Sequence, residues 1–352
     1  MVAYDFSAVC ESGQTLYYNI TSSVEPYTVA VTSEDSYGGY SSSLIGNLII
    51  PSSVTNEDVS YSVTIISEFA FQNCSELTSV TIPNSVTHIG YHAFRNCTGV
   101  MSVTIGNSVT SIYAAAFIGC NSLTEINIPN SVISIGNYAF METGWYINQS
   151  EGILYLDGWC IGYKGNEPTG VLDITENTRG IADYAFVDCY GLTSVIFPSS
   201  ITNIGDCAFY DCNGINSIYS NAINPPIIFA TTFYGVNSNT PVNVPCNQVS
   251  VYNIAEHWNN FTNIQEDCTG VEEKEIANLQ VFPNPATDIL NITSSETISE
   301  IEIVNVMGQV VKRIEVNSDN AVCDVEDLKA GVYVVRIHAA SATLSQRKFV
   351  KE

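Results

Sequence analysis

The chain of 352 residues is 45% hydrophobic and 13% charged, which supplies apolar surface for a sizeable core and length for two or three domains. Charge is distributed unevenly: residues 1–268 hold three basic side chains (Arg95, Lys164 and Arg179) against 23 acidic ones, and the other eight basic groups lie in residues 269–352. Nucleic acids and anionic lipids are bound mainly through Lys and Arg neutralising phosphate, so this composition excludes nucleic acid as a partner.

No run of about 18 apolar residues occurs, so no transmembrane helix is expected. The start, Met1 to Phe6, lacks the basic-then-apolar pattern of a signal peptide. Two readings follow: a trimmed signal, or a cytosolic chain.

Residues 15–20, 27–31 and 61–66 alternate apolar and polar side chains and predict strands, with a turn at Tyr37-Gly-Gly-Tyr. Together they form a β-rich N-terminal cap over residues 1–66 that leads into a first coil.

A repeat then takes over. Ala-Phe pairs end at Phe71, Phe94, Phe117, Phe140, Phe186 and Phe209, separated by 23, 23, 23, 46 and 23 residues. A period of 20–29 residues with Leu, Val and Ile at fixed offsets reads as a leucine-rich solenoid, here over residues 67–235. Leu77, Val80 and Ile82 form an inward strand face, and Val86, Ile89, Ala93 and Phe94 return apolar groups to the same interior. One coil cannot bury that face alone, so successive coils stack, pair their strands in parallel and build side-chain ladders.

Eleven cysteines, an odd total, are better explained by the repeat than by a disulfide framework. Cys74, Cys97, Cys120, Cys189 and Cys212 all sit three residues after a ladder Phe, where a small buried hydrophobe is wanted. A metal or disulfide ladder is the alternative.

The double interval from Phe140 to Phe186 contains one recognisable coil and a surplus near residues 150–170 that alternates around Asp157-Gly158. Asp-Gly between alternating strands predicts a β-hairpin with a type I′ turn, projecting from the stack or inserted into it. Its aromatics Tyr155, Trp159 and Tyr163 are candidate ligand contacts, because aromatic side chains are enriched at binding hot spots, and they serve equally to pack a hairpin on its coil. Residues 236–268 form a terminal cap with one short helix near Val251, bracketed by Cys246 and Cys268, whose pairing the sequence leaves open.

Given CSELTSVTIPNSVTHIGYHAF, the solenoid resembles the BspA-like leucine-rich-repeat family of Bacteroidetes and some protozoan surfaces. The resemblance covers roughly residues 1–268. It implies surface display and adhesion to a host or bacterial protein or glycan, and no catalytic residues.

Residues 269–278 are a short acidic stretch that reads as a linker. From Leu279 to the end, short alternating strands with turn signals predict a small β-sandwich over 279–352, with tight turns at Met307-Gly308-Gln309 and before Gly331. The ordered motifs Phe282-Pro283-Asn284-Pro285, Val306-Met-Gly308-Gln309, Asp327 to Gly331-Val-Tyr333, and Lys348-Phe-Val-Lys resemble the type A C-terminal sorting domain of the type IX secretion system. That resemblance implies the type IX secretion machinery and its sortase as partners, surface lipopolysaccharide as anchor, and an upstream signal peptide removed on export. The resulting location is extracellular or on the outer-membrane surface.

Chemistry-bearing motifs are otherwise missing: no Gly-x-Ser-x-Gly, His-Glu-x-x-His, Walker loop, Cys-x-x-Cys or dinucleotide fingerprint occurs, so no cofactor and no catalytic residue is assigned. His88 and His92 stand four apart, a metal spacing on a helix, but the repeat predicts a non-helical return there. Asp183, Asp188, Asp206 and Asp211 recur beside the Ala-Phe pairs and form either a solvated acidic edge or a calcium site. The fold class expected is mainly β, a leucine-rich-repeat solenoid of 23-residue coils followed by a small β-sandwich. The function expected is a secreted or cell-surface adhesin or binding module. The other readings are a non-catalytic scaffold or fragment of a larger secreted enzyme, and a cytosolic interaction scaffold.

Overall fold

A computed structural model describes residues 4–35, 44–268, 279–305, 310–339 and 344–352. The turn expected at Tyr37 to Tyr40, the linker 269–278 and the turn at Met307 to Gln309 lie outside the described residues. The chain divides into two compact units, Met1–Asp267 and Cys268–Glu352.

The first unit is a β-solenoid whose coils contribute strands to two sides. On one side Leu77–Thr81 lies parallel between Gly46–Ile49 and Ser102–Thr104, with Val80 opposite Val103. On the other, His88–Ile89 pairs with Ser111–Ile112, and that with Ser134–Ile135. From Leu77 onward both registers step by 23 residues, which is why each side-chain type meets its own kind. Leu77, Val80, Ile82, Val86, Ile89, Ala93 and Phe94 are all buried. The phenyl rings stack nearly parallel up the interior, Phe71 on Phe94 at 5.1 Å, Phe94 on Phe117 at 5.1 Å and Phe117 on Phe140 at 5.7 Å. Each is a large apolar group removed from water, so most of the stability resides between neighbouring coils.

Between the two strand sides each coil bends through two residues of positive φ. The first is the residue before Ala-Phe: Phe69, His92, Ala115, Tyr138, Tyr184 and Cys207. The second is Asn73, Asn96, Gly119, Glu142, Asp188, Asp211 and Gly235. Asn, Asp and Gly tolerate this region best, which accounts for their hold on the second position.

Both ends are covered. At the start, Phe6–Val9, Thr15–Ser22 and Thr28–Thr32 form an antiparallel meander whose last strand lies parallel to Val59–Ile66, so that side of the first coil is covered. At the far end the helix Val249–Ile254 and the 3-10 turn Trp258–Asn260 close the stack: Trp258 Nε1 donates to the Pro226 carbonyl at 2.8 Å and Tyr252 Oη to the Ala222 carbonyl at 2.8 Å. Cys246 and Cys268 are joined as a disulfide across this cap.

The second unit is one antiparallel five-stranded sheet. The long strand Ile289–Asn305 pairs with Gln280–Phe282 and Val310–Asp324, and its far half also with Gly331–Ala339, which in turn pairs with Leu344–Lys351. Irregular register between Thr293 and Ile298 lets the long pair bend. Leu290 and Ile292 from one half and Ile301, Ile303, Val335 and Phe349 from the other then share one core, in the manner of a small sandwich.

Candidate ligand site at the irregular coil

The hairpin near residue 150 is inserted in the stack, not projected from it. Gly152–Leu156 and Trp159–Lys164 pair antiparallel around Asp157 (φ 47°) and Gly158 (φ 79°), both left-handed as a type I′ turn requires. Trp159–Lys164 then pairs in parallel with Gly180–Ile181 of the next coil, so it holds the place of a strand. Tyr163 lies 23 residues from both Phe140 and Phe186 and stacks on Phe186 at 6.3 Å. Gly165, 23 residues beyond Glu142, keeps the left-handed φ of that position at 89°. The surplus is therefore one coil of the repeat with its turn straightened into a hairpin.

A straightened turn fills less space than a bent one. A cavity of about 250 Å³ opens between coils here, with Tyr138 and Met141 from the coil before and Tyr184, Ala185 and Val187 from the coil after. Gly162 and Tyr163 come from the hairpin and Tyr146 from the short helix Gly144–Ile147. Burial, and after it the neighbouring Cys189 thiol, pushes Tyr163 up to about 12, so it lines the cavity as a neutral phenol. Lys164 is held back: its Nζ donates to the carbonyls of Tyr146, Ile147 and Gln149 at 3.1, 3.0 and 2.7 Å. The cavity therefore presents tyrosines and backbone with no cation among its lining residues.

The three aromatics singled out from the sequence separate. Trp159 is buried at 1% exposure and packs in the core, its ring against Gly180, where an added Cβ would meet it at 2.5 Å. Tyr155 is half-buried and its Oη accepts from the Thr175 N–H at 3.2 Å. Tyr163 alone of the three lines the cavity. Tyr138, Tyr146 and Tyr184 join it and were not picked out by sequence reasoning; the signal available was that Tyr138 and Tyr184 both immediately precede Ala-Phe pairs.

The ladder cysteines Cys74, Cys97, Cys120, Cys189 and Cys212 are buried free thiols. Cys97, Cys120 and Cys212 donate to the carbonyls of Phe71, Phe94 and Phe186 at 3.0, 3.1 and 3.0 Å. Burial pushes Cys74 up to about 12, far from the thiolate that metal binding or nucleophilic attack requires.

His88 and His92 do not converge. His88 Nδ1 lies 2.7 Å from Thr87 Oγ1, while the His92 ring stacks on Tyr91 at 3.8 Å and meets Phe69 edge-on at 5.3 Å. Along the acidic edge, Asp183 accepts the Asp206 N–H at 2.9 Å and Asp206 accepts from Thr231 Oγ1, so these carboxylates tie adjacent turns together.

In the second unit, motifs far apart in sequence meet. Asn284, between Pro283 and Pro285, accepts the Val350 N–H at 2.9 Å and donates to the Lys348 carbonyl at 3.2 Å, clamping the last strand. Gly331 opens the strand opposite Lys351. Tyr333 stacks on Phe349 at 5.7 Å and donates to the Lys329 carbonyl at 2.9 Å. Gly308 and Gln309 lie outside the described residues. Glu300, Glu302 and His338 come close enough to hold a cation, but Arg313 binds both carboxylates, Arg336 stands 3.9 Å from Glu302, and His338 3.7 Å. The guanidinium groups already neutralise that cluster.

A solenoid of 23-residue coils with a laddered interior defines the class as a leucine-rich-repeat protein. The BspA type leucine-rich-repeat model matches residues 40–150 and 166–279 in six copies, and the chain belongs to that family. The match skips 151–165, the straightened turn. Residues 280–352 match the secretion system C-terminal sorting domain, which marks the chain for export by the type IX machinery to the cell surface or beyond. Among solved structures, the chain is similar to a leucine-rich-repeat protein of Bacteroides ovatus at 25% identity and a TM-score of 0.37, over 74% of this chain and 53% of that one. It is also similar to one from Bacteroides capillosus at 30% identity and a TM-score of 0.33, over 40% of this chain and 94% of that one. A stretch of 72 residues is 39% identical to beta-agarase D of Zobellia galactanivorans, covering 20% of this chain and 14% of that enzyme. This chain thus spans about half of the first structure and a small part of the agarase.

Proposed function

We propose that the chain is a non-catalytic adhesin or protein- or glycan-binding module, exported and then anchored at the cell surface through its C-terminal domain. The observation that carries the reading is the contrast within the repeat. Inward positions return an apolar residue coil after coil, while the half-exposed position between the ladder Ile and Ala-Phe changes from Tyr91 to Ala114, Asn137, Asp183 and Asp206. A rigid frame with a variable face is what a recognition surface needs. On this reading residues 1–66 and 236–268 cap the solenoid 67–235, and 279–352 is the export tail that a sortase exchanges for surface lipopolysaccharide.

The partial match to an agarase is the observation behind a second reading, a scaffold or fragment of a larger secreted enzyme, and it spans 14% of that enzyme. Incubating the labelled chain with host and bacterial cells and with protein and glycan arrays separates the two. Saturable binding, competed by unlabelled chain and without release of sugar from agarose or other polysaccharides, is expected. Polysaccharide cleavage without saturable binding would overturn the proposal.

A further inference from the structure

Regular coils are tied on their turn side by a row of backbone hydrogen bonds. The N–H groups of His92, Phe94 and Asn96 donate to Ala114, Ala116 and Ile118 carbonyls at 3.2, 2.7 and 2.8 Å. Those of Ala115, Phe117 and Gly119 donate to Asn137, Ala139 and Met141 at 2.8, 2.8 and 3.0 Å. The row resumes where Tyr184, Phe186 and Asp188 donate to Asp206, Ala208 and Tyr210 at 2.9, 2.8 and 2.9 Å.

It breaks at the straightened coil. The segment 138–142 keeps the regular conformation, with φ of 58° at Tyr138 and Glu142 and the internal bonds Ala139 N to Gly136 O at 3.2 Å and Met141 N to Tyr138 O at 3.1 Å. Yet the N–H groups of Tyr138, Phe140 and Glu142 reach no acceptor among the described residues, and the carbonyls of Asp183 and Ala185 receive no N–H. Tyr138 and Met141 line one side of the cavity and Tyr184 and Ala185 the other; Glu142 is exposed next to Met141, while Phe140 is buried behind this edge. Backbone groups kept from protein partners carry a standing preference for a ligand that satisfies them.

We infer that this cavity is a docking slot for a short basic peptide whose carbonyls accept from the exposed N–H groups of Tyr138 and Glu142, replacing the outer part of the rung that the hairpin withdrew. This deepens, and rests on, the reading of the chain as a binding module. In the regular coils around the break, the group that satisfies this row is peptide backbone, and addition of an external segment to an unpaired backbone edge is an established mode of recognition. Charge sets the side chains. Glu142, Asp183 and Asp188 each adjoin a lining residue, Lys164 is occupied elsewhere, and residues 1–268 carry 23 acidic against three basic groups. Lys- or Arg-bearing segments are attracted and acidic ones repelled. Tyr138, Tyr146, Tyr163 and Tyr184 add apolar walls with polar tips.

The test titrates the full chain with a positional-scanning library of acetylated, amidated hexapeptides, and in parallel with neutral glucose and galactose hexasaccharides, reading amide hydrogen exchange residue by residue. Basic peptides are expected to bind at least tenfold more tightly than acidic ones and to slow exchange at Tyr138 and Glu142 by tenfold or more, leaving Phe94 and Phe117 unchanged. Tyr138→Gly suits the left-handed backbone, so it folds, and it should weaken binding at least tenfold; Tyr184→Ala should do so from the opposite wall. Protection of these two amides by a hexasaccharide and not by peptides would overturn the peptide assignment. Peptide binding that leaves them unprotected, or no peptide binding, would overturn the slot. The wider reading fails separately, if the chain also shows no saturable binding to cells or arrays.

Discussion

Tyr163 stands 23 residues before Phe186 and stacks on it with ring centroids 6.3 Å apart and planes 13° from parallel. A residue of the hairpin thus occupies a rung of the phenylalanine ladder, which makes the irregular stretch a member of the repeat and places the cavity where one turn is missing.

The ladder itself is open to a direct stability test. Phe117 is 1% exposed and lies between Phe94 and Phe140. Phe117→Ala leaves a hole between coils that cannot collapse without breaking register, and should cost about 3–5 kcal/mol in urea or thermal unfolding. An unchanged midpoint would contradict the inward ladder.

Left-handed positions predict opposite signs for opposite exchanges. Glu142 is exposed with φ 58°, so Glu142→Gly should be neutral or stabilise by up to about 1 kcal/mol as the backbone strain is relieved. Gly119 has φ 75°, and a Cβ there would lie 2.4 Å from Asn96 Oδ1, so Gly119→Ala should destabilise by at least about 1 kcal/mol. Paired melting curves of the two variants check the sign.

Asp183 carries the clearest pH dependence. Burial, opposed by the hydrogen bond from Asp206 N–H and reinforced by the Asp206 carboxylate, raises it from 3.8 to about 6. The folded state therefore holds this proton more tightly than the unfolded chain. The stability it contributes is complete below about pH 4 and is lost as pH rises through 6. Asp183→Asn can still accept from Asp206 and should stabilise the protein at pH 7 by about 1–2 kcal/mol, with the gain vanishing near pH 4. A gain of equal size at both pH values would contradict the assignment.

In the C-terminal unit, Glu302 is buried at 6% exposure with Arg313, Arg336 and His338 around it. Glu302→Ala removes the carboxylate shared by Arg336 and His338 while the largely exposed Arg313 keeps Glu300, and should cost about 1–2 kcal/mol. Limited proteolysis of the variant should cut between Gln280 and Lys351 under conditions that leave the parent intact.

Much of this was legible beforehand because solenoid physics is written in the period. The interval of 23 residues carried the parallel registers, the inward Phe and Cys ladders and the need for caps, and Asp157-Gly158 carried the type I′ turn. Trp159 was harder, since an aromatic on a hairpin packs or binds depending on which face the strand turns, and joining the stack turned it inward. The cavity was not legible, because it arises from hydrogen bonds that Tyr138, Phe140 and Glu142 fail to make. No side-chain pattern records an unmade backbone bond. The clamp of Asn284 on Val350 was hidden for another reason: sequence order gave the motifs but not that the first would close on the last.

The most direct test of the account is surface localisation in the native bacterium, comparing the full gene with one truncated after Cys268, by protease accessibility of intact cells and the mass of the accessible product. The account predicts that the full chain reaches the surface shortened by its C-terminal unit while the truncation stays inside; retention of both inside, or equal display of both, would contradict it.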